Sequence, residues 1–143
     1  MSFYPLFIPM LAMMILTMLV WFYMYTLRLH YVMNARIHAD KLHTPEQVSL
    51  LLPDRVNAPS NNLKNLFELP VLFYGAVFIA SQIPDHSIIS NLAAWSFLFF
   101  RVIHSIIHCT NGKVLARFIM YILSSFSLFV LIVNVLVNLF NQQ

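Results

Sequence analysis

Long charge-free stretches alternate with short polar segments along this chain. Phe3–Leu27 and Phe118–Gln143 carry no charged side chain. Each exceeds the about 20 residues that an α-helix needs to cross the hydrocarbon of a bilayer. Two shorter runs lie between them, Leu69–Pro84 and Ser87–Phe100. Neither spans alone. The second run reaches spanning length only if its helix starts near Asn61 and takes in Lys64, Asn65 and Glu68. The third does so only by continuing past Arg101 to His108. The pattern predicts four spans over roughly 4–33, 61–83, 87–109 and 115–139, with ionisable groups inside the two middle ones.

Composition agrees with an all-α membrane protein and excludes an ordinary soluble domain. Of 143 residues, 60% are hydrophobic and 9% charged, against about 25% charged in a soluble protein. The length predicts a single four-helix domain over 1–143. The first positive charge, Arg28, follows the first apolar run, so that run reads as a retained span and not as a cleaved leader. The net charge of +3 reports loop topology in such a chain, and no nucleic-acid partner is expected. Cys109 is the single cysteine and forms no intramolecular disulfide.

Lys and Arg gather in two of the three loops. Arg36, Lys41 and Arg55 lie in the segment 34–60, with Arg28 and Lys64 at its membrane edges, and Lys113 and Arg117 follow the third span. The turn Gln82–His86 has only Asp85. The positive-inside rule then places 34–60 in the cytoplasm and both termini on the other side. Within that loop "TPEQVSLLL" predicts a short helix, with Thr44 as N-cap, Pro45 in the first turn and Gln47 closing a capping box. Val48, Leu51 and Leu52 are expected to face the bilayer or the bundle. "APSNN" predicts a break, with Ser60 capping the second span.

The polar residues of the middle spans are periodic. Asn61, Lys64, Asn65 and Glu68 fall within one arc of about 100° on a helical wheel, and so do Arg101, His104, Ser105 and His108. Both sets have the spacing i, i+3, i+4, i+7. On the fourth span Arg117, Tyr121 and Ser124 share a face. Glu68 and Arg101 each lie about 10 Å from the loop end of their helices, at 1.5 Å per residue. An unpaired charge at that depth is costly, so the two are expected to pair. The layer has one acid against Lys64, Arg101 and Arg117, and the surplus of cations predicts an anion pocket at the cytoplasmic boundary. His104 and His108 beside Cys109 lack a second acid nearby, and no metal site is expected.

These segments resemble the MAPEG superfamily, membrane-associated proteins in eicosanoid and glutathione metabolism. "NLKNLFE" (62–68), "RVIHSIIH" (101–108) and "RFIMY" (117–121) carry the resemblance, and "NLFELPVLFY" is similar to bacterial members. It implies a homotrimer, in a bacterial inner membrane, with glutathione bound between neighbouring subunits near the cytoplasmic face. By this resemblance Lys64, Asn65 and Glu68 contact the tripeptide, and Arg101, His104 and His108 line the site. Arg117 stabilises the thiolate with Tyr121 close by. Arg28 is the basic residue expected from the first span, with Arg36 second. The implied activity is a glutathione-dependent transferase or peroxidase acting on a lipophilic small-molecule substrate that arrives through the membrane lipid. Asn61, His108 and Phe118 depart from residues found in some catalytic members. The alternative is a non-catalytic lipid- or partner-binding protein of the same fold.

Overall fold

All four spans form as helices. The computed structural model describes residues 5–83, 87–110 and 113–141; Asp85 and His86 of the expected acidic turn lie outside them. Helix α1 covers Phe7–Asn34. A single 3-10 turn, Ala39–Lys41, leads to α2, Pro45–Leu51. The second span consists of two helices, α3 (Asp54–Leu66) and α4 (Leu69–Ser81). Helices α5 (Ile88–Cys109) and α6 (Val114–Phe140) complete the bundle. Four helical segments are long and apolar enough to cross a membrane, Phe7–Asn34, Asp54–Ser81, Ile88–Cys109 and Val114–Phe140.

The second span begins at Asp54, ahead of the expected start near 61, and Ser60, expected to cap it, lies inside α3. Pro53 precedes the helix and its carbonyl accepts from the Val56 and Asn57 amides, at 2.8 and 3.1 Å. Pro59 is accommodated inside α3, where it has no N–H to donate to the Arg55 carbonyl. The loop is therefore shorter than 34–60, and α2 fills much of it. The capping box of α2 forms as its residues predict. The Thr44 hydroxyl accepts from the Gln47 amide at 3.2 Å, and Gln47 Oε1 accepts from the Thr44 amide at 3.3 Å. Asn57 Nδ2 then donates to the carbonyls of Ser49 (3.0 Å) and Leu52 (2.8 Å), which ties the end of α2 to α3. Leu52 is buried, Val48 half-buried and Leu51 exposed.

Pro70 divides the second span. It has no N–H for the Leu66 carbonyl, and its ring crowds that carbonyl. The chain leaves helical geometry at Phe67 (φ −102°, ψ 6°) and Glu68 (φ −96°, ψ −94°), then restarts with Pro70 in the first turn of α4. Helix α5 packs along α6, α1 along α3, and α4 against α6 and α1.

An apolar core fills the half of the bundle beyond this break. Met13 from α1, Phe73 and Val77 from α4, Ala94 and Phe97 from α5 and Leu131 from α6 are fully buried. The Phe73 and Phe97 rings stack with centroids 4.6 Å apart. Outward-facing residues such as Leu11, Ile15, Leu19, Phe22, Phe99 and Phe129 are exposed large hydrophobics. Such a surface is suited to lipid and would be untenable in water. Near the far end, Asn134 Nδ2 donates to the hydroxyls of Ser87 (3.1 Å) and Ser90 (2.8 Å), clasping α6 to α5.

Asn134→Val removes this clasp while keeping a comparable volume. Interhelical hydrogen bonds within bilayers contribute about 0.6 to 1.7 kcal/mol. Detergent-denaturation of the variant should show a loss of that size, and an unchanged midpoint would mean that the clasp contributes nothing.

Candidate functional site

The polar residues of the middle spans build two separate places, one on each side of α3. The first is a buried seam between α3, α5 and α6. Arg101, His104, Ser105 and His108 project from one face of α5 and are all buried. Arg101 is fully buried, at 0% exposure. Its Nη2 donates to the backbone carbonyl of Asn65. That carbonyl is available because the break before Pro70 removes its helical donor: the Leu69 amide opens α4 and does not reach back. The guanidinium thus caps the C-terminal end of α3, where the helix dipole favours a cation. Its Cζ also lies 5.6 Å from the centroid of the Tyr121 ring, within cation–π range.

The expected Glu68–Arg101 pair does not form. Arg101 Nε and Nη1 have no hydrogen-bond partner among the described residues, and Glu68 is exposed at the helix break. The wheel of the second span assumed one continuous helix. The break leaves Glu68 outside helical geometry, and the backbone carbonyl of Asn65 accepts from Arg101 where the Glu68 side chain was expected to.

His104 Nδ1 donates to the Arg117 carbonyl at 3.0 Å. A carbonyl only accepts, so the neutral ring carries its proton on Nδ1 and offers Nε2 as an acceptor. His104 Nε2 and His108 Nδ1 are buried without partners among the described residues. The His104 ring stands 5.6 Å from that of His108 and 5.9 Å from that of Tyr121. Arg117 and Tyr121 are half-buried. The structure therefore gathers Arg101, His104, His108 and Tyr121, with the Arg117 backbone, into one seam.

Asn62 belongs to the seam, and the wheel of Asn61 passed over it. It is fully buried; its Oδ1 accepts from the Ser105 hydroxyl at 3.5 Å and its Nδ2 faces Cys109 Sγ at 3.7 Å. The signal was present in the chain. Pro59, Asn62 and Leu66, at i, i+3 and i+7, form the buried stripe of α3, whereas Asn61 and Lys64 share the opposite, exposed face. Among the described residues no three His, Cys, Asp or Glu side chains come together as a group able to hold a metal ion.

The second place is a groove of about 570 Å³ between the end of α1, the loop helix α2 and the outer face of α3. Arg28, His43, Asn57, Asn61 and Lys64 contribute to its polar lining, and Met24, Leu42, Val48, Leu63 and Phe67 to its apolar lining. Among the described residues that line it are two permanent cations and no acid. Arg28 Nε is itself buried, with no hydrogen-bond partner among the described residues. Asn65 is half-buried between the two places, its carbonyl turned to Arg101. Arg36 follows α1 with φ 51° and is exposed; it is absent from the groove lining.

Replacing Arg101 with Met should leave the Asn65 carbonyl without a donor in a dry seam. An orphaned buried acceptor costs about 1 to 3 kcal/mol. Denaturant titration of Arg101→Met should show that loss, with faster amide exchange at Leu69 and Val71. Exchange unchanged at the break would show that Arg101 does not hold it.

No curated protein and no solved structure matches the chain. The family model described as "MAPEG family" does match, over residues 6–137. The match runs through the first three spans and most of the fourth, and the chain is an integral membrane protein that belongs to the MAPEG family.

Proposed function

We propose that this protein is a glutathione-dependent transferase or peroxidase acting on lipophilic electrophiles, with glutathione held in the groove between α1, α2 and α3. The observation that carries the reading is the groove with Arg28 and Lys64 in its lining and no acid among the described residues that line it. Glutathione carries two carboxylates, one ammonium and a thiol. Arg28 and Lys64 suit the carboxylates through charge-assisted hydrogen bonds, and exposed Glu68 suits the ammonium. Asn65 adds an amide at the same level. When bound, glutathione supplies a thiolate nucleophile.

Within one chain Arg117 and Tyr121 belong to the seam, on the other side of α3 from the groove. In this reading three copies assemble, and a neighbouring copy brings Arg117 and Tyr121 to the groove. The Arg117 guanidinium then favours negative charge on sulfur, and the Tyr121 hydroxyl can donate to it. His104 fixes the start of α6 by holding the Arg117 carbonyl, so its role is positioning. His108 lies beside it in the seam. In the single chain Arg101 is fully buried with Nη2 on the Asn65 carbonyl, so its part in this reading is structural. The membrane is one that faces the cytoplasm with the 35–53 segment, the bacterial inner membrane by resemblance.

The alternative, a non-catalytic lipid- or partner-binding protein, draws support from Asn61, His108 and Phe118, which differ from residues in some catalytic members. One titration separates the two. Purified protein in detergent should bind glutathione at millimolar concentration with a rise in thiolate absorbance. Arg117→Ala should cut the thiolate fraction at neutral pH about tenfold, the equivalent of about 1.4 kcal/mol. Absence of binding would sink the enzyme reading. Binding without thiolate formation would favour the alternative.

A further inference from the structure

The groove between α1, α2 and α3 has a basic side chain from each of its walls. Arg28 comes from α1, Lys64 from α3, and His43 from the segment that leads into α2. Neither periodicity nor span length gives His43 a task, since it stands in the loop two residues after the 3-10 turn. The fold brings it to the groove. Thr44 is extended (φ −119°, ψ 151°) and closes the capping box with Gln47, which fixes how the chain enters α2. The other end of α2 is tied to α3 by Asn57 and anchored by buried Leu52. With both ends set, His43, Thr44 and Pro45 line the groove together.

His43 differs from its two basic companions in being titratable near neutrality. Arg28 and Lys64 stay cationic, whereas an imidazole changes charge between about pH 5 and 8. The ring is exposed, so water and protons reach it. Among the described residues, the charged groups that share the groove with it are Arg28 from α1 and Lys64 from α3, and α2 adds none. Asp40 and Lys41 of the preceding turn and Glu46 of α2 are exposed and absent from the lining. No acid among the described lining residues therefore competes with a ligand for the imidazolium. An anion that fills the groove favours the charged ring, and by reciprocity the charged ring favours the anion.

We propose that His43 is the third anion-binding group of the groove and makes glutathione affinity depend on pH. The inference rests on the glutathione reading of this groove and adds a residue and a regulation to it. A carboxylate has two oxygens and accepts from two donors at once, so the imidazolium N–H shares a carboxylate with one of the permanent cations. The sign follows from the charge. Binding is tightest where His43 is protonated in the free protein, and it weakens as pH rises through the histidine range. Thiolate formation is a separate matter, because His43 acts on the carboxylates.

The test uses S-methylglutathione, which keeps the carboxylates and the ammonium but has no thiol to ionise. Isothermal titration of the full-length protein in detergent measures its affinity at about pH 5.5 and about pH 7.5, on either side of the histidine range. The wild-type chain should bind about fivefold more tightly at the lower pH, the scale of an exposed ion pair. Titrations in two buffers of different ionisation enthalpy should show net proton uptake on binding. His43→Gln should bind with the weaker wild-type affinity at both pH values and without that uptake, which separates the ring from the ligand's own ionisations. His43→Lys should keep the stronger affinity at both. His43 is exposed, so neither change threatens the fold. A flat wild-type profile, or a slope and proton uptake that persist in His43→Gln, would overturn the proposal and leave the glutathione reading standing. Failure of the wild-type chain to bind either glutathione or its S-methyl form would remove both.

Discussion

One hydrogen bond organises the polar half of this bundle: the buried Arg101 guanidinium donating to the Asn65 carbonyl. Two liabilities meet there. Pro70 breaks a helix at a depth where no water can satisfy the freed carbonyls. Arg101 sits in the interior with no acid attached among the described residues. Each alone is costly in a bilayer. Together the cation satisfies the carbonyl, and the helix end offers the cation the negative side of a dipole. Tyr121 covers the remaining face of the guanidinium.

The same contact sets which way α3 faces. With Asn62 and the Asn65 carbonyl turned to α5, the other flank, bearing Asn61 and Lys64, is left facing α1 and α2. Asn57 fixes the loop helix to that flank through two carbonyls. The groove therefore has α3 as a wall and α2, tied to that wall, as a roof. Its two cations, Arg28 and Lys64, come from different helices that Arg101 and the α1–α3 packing hold in register.

Much of this was legible in the chain. Run lengths alone required Lys64, Asn65, Glu68 and Arg101 to lie inside spans, and the segments long and apolar enough to cross a membrane, Asp54–Ser81 and Ile88–Cys109, contain them. The capping box at Thr44 followed from residue types that satisfy a helix start locally. The periodic faces of α5 and of Asn61 with Lys64 were also correct as faces. What failed was the orientation between faces. A helical wheel presumes an unbroken helix and considers only side chains. Pro70 removed the first condition, and a backbone carbonyl took the role assigned to Glu68. Asn62 was passed over because its neighbour fitted a polar arc, although the stripe of Pro59, Asn62 and Leu66 marks the buried side. The α2 groove was beyond reach for a different reason: it depends on where a loop helix settles, which no periodicity encodes.

The Arg101–Asn65 contact also bears on how such a chain enters a membrane. A span that carries a free guanidinium partitions poorly, and so does one with an interrupted hydrogen-bond ladder. The α3–α4 segment and α5 each have one of these defects, and each supplies the remedy for the other. The smallest unit that the hydrocarbon can accept at low cost is then the helical hairpin running from Asp54 to Cys109, inserted as a pair and not one helix after the other.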